Sequence, residues 1–330
     1  MALRLPKLSR QLRMAGGGVL AVAVLIQLFF CWLWSREPPL YLDTAASDEL
    51  PAVTGYVTVT TLIETIDWLL DKPGGYLSND IYLPSLWLDN LPNFEFGVLV
   101  QARDLARVLR NDYSRSQSQS TEHPDLAVAE PALNYTNDRW IIPSTQGKLR
   151  EARDAFSEYR AELVSLDARD AQFYARADNL REWLAVVERR LGSLSQRLSA
   201  SVGQTRINTD LAGEPAAQAA TPQASMLVVK TPWLELDDVF FEARGTAWAL
   251  LQFMAAAQVD FDGVLVDKNA VISLQQVMRE LEGALEPLRS PMILNGGGYG
   301  FFANHSLVLA SYVSRAHAAV IDLRELLAQG

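Results

Sequence analysis

Apolar residues fall into two kinds of pattern along this chain: one unbroken run near the start and, beyond it, a succession of three- and four-residue spacings. The run from Ala15 to Trp34 reads AGGGVLAVAVLIQLFFCWLW, twenty residues without a charge, and Gln27 is its one strongly polar side chain. At ~1.5 Å of rise per residue, such a helix crosses the ~30 Å hydrocarbon core of a bilayer. Trp32 and Trp34 close it at the depth where amphipathic rings favour the headgroup layer. The pattern therefore predicts a transmembrane helix over residues 14–34.

After a proline-bearing stretch, 35–55, that reads as a juxtamembrane linker, the helical spacings begin. Leu62, Ile63, Ile66, Leu69 and Leu70 share one face of a short helix stopped by Pro73-Gly74-Gly75. An aromatic-rich loop leads to a second helix over Asn93–Tyr113, followed by the polar run SRSQSQS. From Leu149 to Leu198, alternating steps of three and four pick out fifteen positions, fourteen of them apolar, with Asp170 the exception. With no proline between Ser144 and Gly213, that seam predicts one long heptad-patterned helix over about 144–202. Residues 203–230 hold few large apolar side chains and read as a flexible linker or insertion, with a short strand at Met226–Val229. Thr231-Pro232 fits a helix start, with the helix running to about Ala257; two more helices are expected over Lys268–Glu286 and Phe302–Leu327. The fold class is mainly α: an N-terminal span, then an all-helical domain in which 56–202 and 231–330 pack together.

A heptad seam raises the question of self-association. In a parallel dimer its flanks would set Lys148 against Arg153, Glu162 against Asp167 and Arg176 against Arg181. All three pairs are like-charged, which opposes that pairing. The seam is expected to bury itself against helices of its own chain, and other homo-oligomers stay open.

Charge sets the orientation. Residues 1–13 carry Arg4, Lys7, Arg10 and Arg13 and no acid, so the positive-inside bias puts them in the cytoplasm and the bulk on the far side. The whole chain is −10; with +4 in the tail, residues 14–330 carry −14. An acidic body argues against nucleic acid and against adhesion to anionic lipid by charge. Three rival readings of the apolar run are weaker. A cleaved signal peptide wants a shorter core and a nearby small-residue site, whereas Trp34-Ser35-Arg36-Glu37-Pro38-Pro39 follows. A lipoprotein wants a small residue where Phe30 precedes Cys31, and a buried core helix leaves the basic flank unexplained. Cys31 is the one cysteine, so the body offers no thiol nucleophile and no disulfide.

Candidate chemistry is sparse. Tyr76, Tyr82, Trp87, Phe94 and Phe96 stand among Asp80, Asp89 and Glu95, the aromatic and carboxylate mixture of a glycan groove or a glycoside-cleaving pair. The plainer reading seals these rings onto the core. Asn295-Gly296-Gly297-Gly298-Tyr299-Gly300 precedes a helix and could present amides to an anion or dock a partner, but it lacks the P-loop lysine and serine. His305 and His317 are too far apart on one helix to chelate together, and His123 sits in a polar loop; no metal site and no cofactor is expected. Asp260-Phe261-Asp262-Gly263 reads as a helix-ending turn, and no residue is marked as catalytic. Asp80, Trp87, Asp89, Glu95, Asn295 and Tyr299 are thus the binding candidates.

Residues 78–120, SNDIYLPSLWLDNLPNFEFGVLVQARDLARVLRNDYSRSQSQS, together with NGGGYGFFANHSLVL at 295–309, resemble a family of Gram-negative envelope proteins known as domain of unknown function 2333. The resemblance implies a bacterial inner-membrane protein facing the periplasm and brings no catalytic residues with it. The expected function is a membrane-anchored scaffold for an envelope protein partner. The alternative is a cell-wall glycan binder or glycan-cleaving protein working through loop 76–96.

Overall fold

The spacing of apolar residues is realised as ten α-helices in a computed structural model, which describes residues 10–42, 53–116, 121–165, 171–208, 226–290, 292–298 and 300–329. They are α1 (Arg10–Trp34), α2 (Tyr56–Asp71), α3 (Asn90–Val108), α4 (Pro124–Leu133) and α5 (Thr145–Val164), then α6 (Ala177–Ser199), α7 (Leu236–Asp260), α8 (Asp262–Asp267), α9 (Val271–Ala284) and α10 (His305–Ala328). The one sheet among the described residues is an antiparallel pair, β1 (Gln204–Ile207) on β2 (Met226–Val229), in register Gln204↔Val229 to Ile207↔Met226. β1 falls inside the stretch whose composition reads as a linker; residues 209–225 of that stretch lie outside the described residues.

α7 is the axis. It buries residues on all sides through its middle, from Ala243 to Ala257, because α2, α3, α9 and the segment after α1 surround it. α3 runs beside it at backbone contact. A Cβ on Gly97 would lie 2.1 Å from the Glu242 carbonyl oxygen, and one on Gly245 would lie 2.0 Å from that of Phe94. Only glycine permits that approach. Around this pair, α4 and α5 close one flank against α2, while α6, α9 and α10 close the other. Interhelical ion pairs edge the core, among them Asp104–Arg190 at 2.6 Å and Asp67–Arg153 at 3.0 Å.

The long helix expected over 144–202 is two helices. α5 ends at Val164 with Ser165 extended, and residues 171–176 are not helical before α6 begins. The heptad phase survives the break because the connecting segment still turns Phe173 inward, 5.0 Å from Tyr113 and 5.7 Å from Phe261 between ring centroids. Tyr174 N–H donates to the Tyr113 carbonyl at 2.7 Å, holding the crossing against α3's end. Each half of the seam then has its own cover. Leu149, Ala152, Phe156 and Tyr159 are buried on the side of α2 and α4, and Leu184, Val187, Leu191 and Leu194 on that of α10.

α1 contains the window Met14–Trp34, long and apolar enough to cross a membrane; none of it is fully buried, and Trp34 at its end packs against the core. The 16-residue α2 opens without a side-chain cap of its own. Asp260, the residue that ends α7, supplies one from a distance: its carboxylate accepts from Gly55 N at 2.8 Å, Thr58 N at 2.6 Å and Thr58 Oγ1 at 2.6 Å.

Candidate functional site

Two places concentrate buried polar chemistry, both where α1 meets the body. The first is the turn after α2, where the loop candidates lie. Glu95, on the first turns of α3, is fully buried and forms an ion pair with the buried Lys72. It also accepts from Leu77 N at 2.9 Å, Ser78 N at 2.9 Å and Ser78 Oγ at 2.6 Å. Burial pushes the Lys72 ammonium below its ordinary pKa, and the adjacent Glu95 opposes that shift. A carboxylate so engaged ties loop to helix; it has no lone pair left for a substrate.

The remaining loop candidates do not converge on it. Asp80 is half-buried, and its carboxyl is raised above the usual range by burial, with Ser85 and Lys72 drawing it back. Asp89 is exposed and caps α3, accepting from Asn90 N at 2.9 Å. Trp87 is exposed, as is Tyr82, while Tyr76 and Phe94 point into the core. No cavity described below is lined by Asp80, Trp87, Asp89 or Glu95. The rings divide between core and surface and form no groove with the acids.

The glycine-rich loop closes on itself. Leu294 N–H donates to His305 Nδ1 at 3.0 Å, and Asn304 Nδ2 donates to the Gly296 carbonyl at 2.7 Å. Asn304 Oδ1 accepts from Leu307 N at 3.0 Å, so the start of α10 is already capped. Asn295 is half-buried, and neither of its amide atoms meets a hydrogen-bond partner among the described residues. Tyr299 lies outside the described residues.

The second place was missed by sequence reasoning: the stretch just after α1 is a strap. Glu37 meets the buried Arg244 of α7 with both oxygens, at 2.8 and 2.5 Å. Trp248 Nε1 donates to the Pro39 carbonyl at 2.8 Å, and Gln252 Nε2 to that of Leu40 at 2.8 Å. Leu42 N donates to Gln252 Oε1 at 2.9 Å, and the Tyr41 hydroxyl bonds Glu282. Arg244 also donates to the carbonyls of Ala284, Leu285 and Glu286, the open end of α9. Beneath the strap lies a cavity of about 780 Å³ with Arg279, Glu280, Tyr312 and Arg315 in its wall. A neighbouring one of about 510 Å³ shares Arg244 and Tyr312 and is walled by Phe240, Leu288, Leu294 and Leu309. The lining mixes both charge signs with an apolar flank, which suits a ligand of mixed character.

One further cluster joins residues distant in sequence. His123, buried at the start of α4, stacks edge-on against Tyr159 and meets Glu162 Oε2 through Nε2 at 3.0 Å, with Asp125 3.8 Å from Nδ1. His123 thus lies in the loop ahead of α4, with its side chain buried. One atom from each of His123, Asp125 and Glu162 lies within 4.8 Å of the others, a spacing that could hold a metal ion, and the His123–Glu162 contact latches α4 to α5.

Neither a curated protein nor a solved structure matches the chain. A family model does, over residues 7–330, which takes in α1, the strap and every helix of the body. The chain belongs to that family, described as an uncharacterized protein conserved in bacteria (DUF2333).

Proposed function

We propose that this chain is a single-pass protein of the bacterial inner membrane, with its basic N-terminus in the cytoplasm, whose helical body stands in the periplasm and scaffolds an envelope protein partner. The strap carries this reading. The body bonds five of the six residues from Glu37 to Leu42, ahead of Thr44-Ala45-Ala46, the nearest small-residue site at which a signal sequence could be cut. Here Glu37, Pro39, Leu40, Tyr41 and Leu42 are all fixed to α7 or α9. Cleavage at that site would remove the strap and uncover Arg244. The body is thus held in one pose at the bilayer, which suits a scaffold.

The glycan reading loses its central acid, since Glu95 is spent on Lys72 and the loop amides. The test is mild cross-linking of full-length protein in its own membranes, followed by isolation, with mass measurement of the recovered chain. An intact N-terminus and one recurrent protein partner are expected. A chain shortened behind α1, or an intact chain that stays alone, would overturn the proposal. Release of fragments from peptidoglycan by the purified protein would favour the glycan alternative.

A further inference from the structure

Outside α1, six aromatic side chains of the described residues are exposed: Tyr82, Trp87, Trp140, Trp233, Phe301 and Phe302. Exposure runs from 51% for Trp140 to complete for Phe301. They come from four loops far apart in sequence, and the structure gathers those loops at one end of the bundle. α1 touches the turn Ser85–Trp87, and its Trp34 ring packs on Gly74 at the end of α2. Asn79 Nδ2 donates to the Arg139 carbonyl and the Tyr76 hydroxyl to that of Asn137, which brings the Trp140 loop alongside. Asn90, Trp233 and Met292 line one small cavity, which sets the other two loops beside the start of α3.

The opposite end is built differently. There Tyr113, Phe173 and Phe261 pack on one another within 5.7 Å. A soluble body spreads exposed rings over its surface; this one collects them where α1 emerges. Exposed apolar surface on this scale marks an interaction site.

We propose that this end is a lipid-facing surface, whose aromatic loops sink into the headgroup layer of the membrane that α1 spans. The inference rests on the reading of α1 as a retained anchor. Continuity with α1 names the occupant. None of the α1 window is fully buried and only its C-terminal end packs on the body, so the helix projects away from it, and a surface around its foot meets the headgroups directly. Trp and Tyr rings, apolar in body and polar at the tip, favour that layer. Arg36 stacks over Trp32, 4.0 Å from its ring centroid, as a cation at that depth does. The loops carry charges of both signs, among them Asp89, Asp138, Arg139 and Lys230, so the attraction is apolar rather than electrostatic. The body would then lie on the bilayer and could not swing above it.

The experiment uses full-length chain with its cysteine removed, Cys31→Ser, reconstituted in vesicles. Spin labels are placed singly through Trp87→Cys, Trp140→Cys and Phe301→Cys, with Ile272→Cys as a control. Ile272 is exposed at the far end, and α7, 25 residues long, separates the two ends by about 37 Å. Rim labels are expected to collide several-fold more with lipid-soluble oxygen than with an aqueous nickel chelate, and the control the reverse. Zwitterionic and anionic vesicles should give the same result. Rim labels as open to nickel as Ile272→Cys would overturn the proposal, as would labels shielded from both probes, the mark of a protein contact. Because the reconstituted chain always retains α1, failure here is separate from removal of α1 in the cell, which the mass measurement reads. Circular dichroism and melting of each variant confirm that the exposed substitutions leave the fold intact.

Discussion

Glu37 and Arg244, 207 residues apart, form a two-oxygen ion pair that ties the segment after α1 to the central helix. The Arg244 side chain is 3% exposed and that of Glu37 26%. Neutralising the acid with Glu37→Gln leaves a buried guanidinium facing carbonyls alone. A one-sided break of a buried pair costs ~3–5 kcal/mol, and the partial exposure of Glu37 places this one near ~3 kcal/mol or below. Unfolding of the full chain in detergent should show that loss, together with faster proteolysis between residues 35 and 55. An unchanged melt would mean that the strap contributes nothing to the fold.

Lys72 and Glu95 form the second buried pair, and a double-mutant cycle separates their mutual attraction from the cost of burying each. Lys72→Met strands a fully buried carboxylate, and Glu95→Gln strands the ammonium, each at about 3 kcal/mol or more. The double variant should be more stable than the sum of the two losses, by about 1–3 kcal/mol of coupling. Strict additivity, read from denaturant melts, would show that the two charges do not interact.

The helices α2, α3, α7 and α10 were legible because their apolar residues recur at helical spacing between proline, glycine or asparagine stops. The seam through 149–198 misled for a definite reason. Periodicity reports which side chains face the core, and Phe173 faces it from extended chain as well as it would from helix. α4 was missed because its ten residues begin at Pro124 and contain Pro131, which leaves no sustained pattern. Glu95 looked like a free acid because its partner lies across a turn from α2, and local composition carries no sign of burial. The strap was invisible for a related reason: α7 holds Pro39 and Leu40 by their carbonyls, and a carbonyl leaves no trace in the residue type.

The contact between α3 and α7 is backbone against backbone, so it tolerates no added carbon. Gly97→Ala and Gly245→Ala each insert a methyl where a carbonyl oxygen already sits about 2 Å away. Overpacking of this kind costs ~1–3 kcal/mol or more, since neither helix can yield without moving the other. Lowered melting temperatures are expected for both variants. Gly263→Ala, whose Cβ meets nothing within 4 Å, should leave the melt near that of the unaltered chain.

Asp260 supplies a pH dependence whose sign is fixed by its surroundings. Burial raises its carboxyl above the ordinary value, and the donors from Thr58 and Gly55 pull it part of the way back. A raised folded pKa means that the folded chain holds the proton more tightly than the unfolded one. The stability this group gives is full below the ordinary aspartate pKa of ~3.9, and it declines as pH climbs through the raised folded value. Asp260→Asn removes the titration while keeping one acceptor oxygen for the start of α2. The stability of the unaltered chain minus that of the variant should therefore fall as pH rises from about 4 towards neutrality. Melting curves of both proteins across that range test it. A difference that grows with pH would mean that the three donors outweigh burial, and that the carboxylate is favoured in the folded chain.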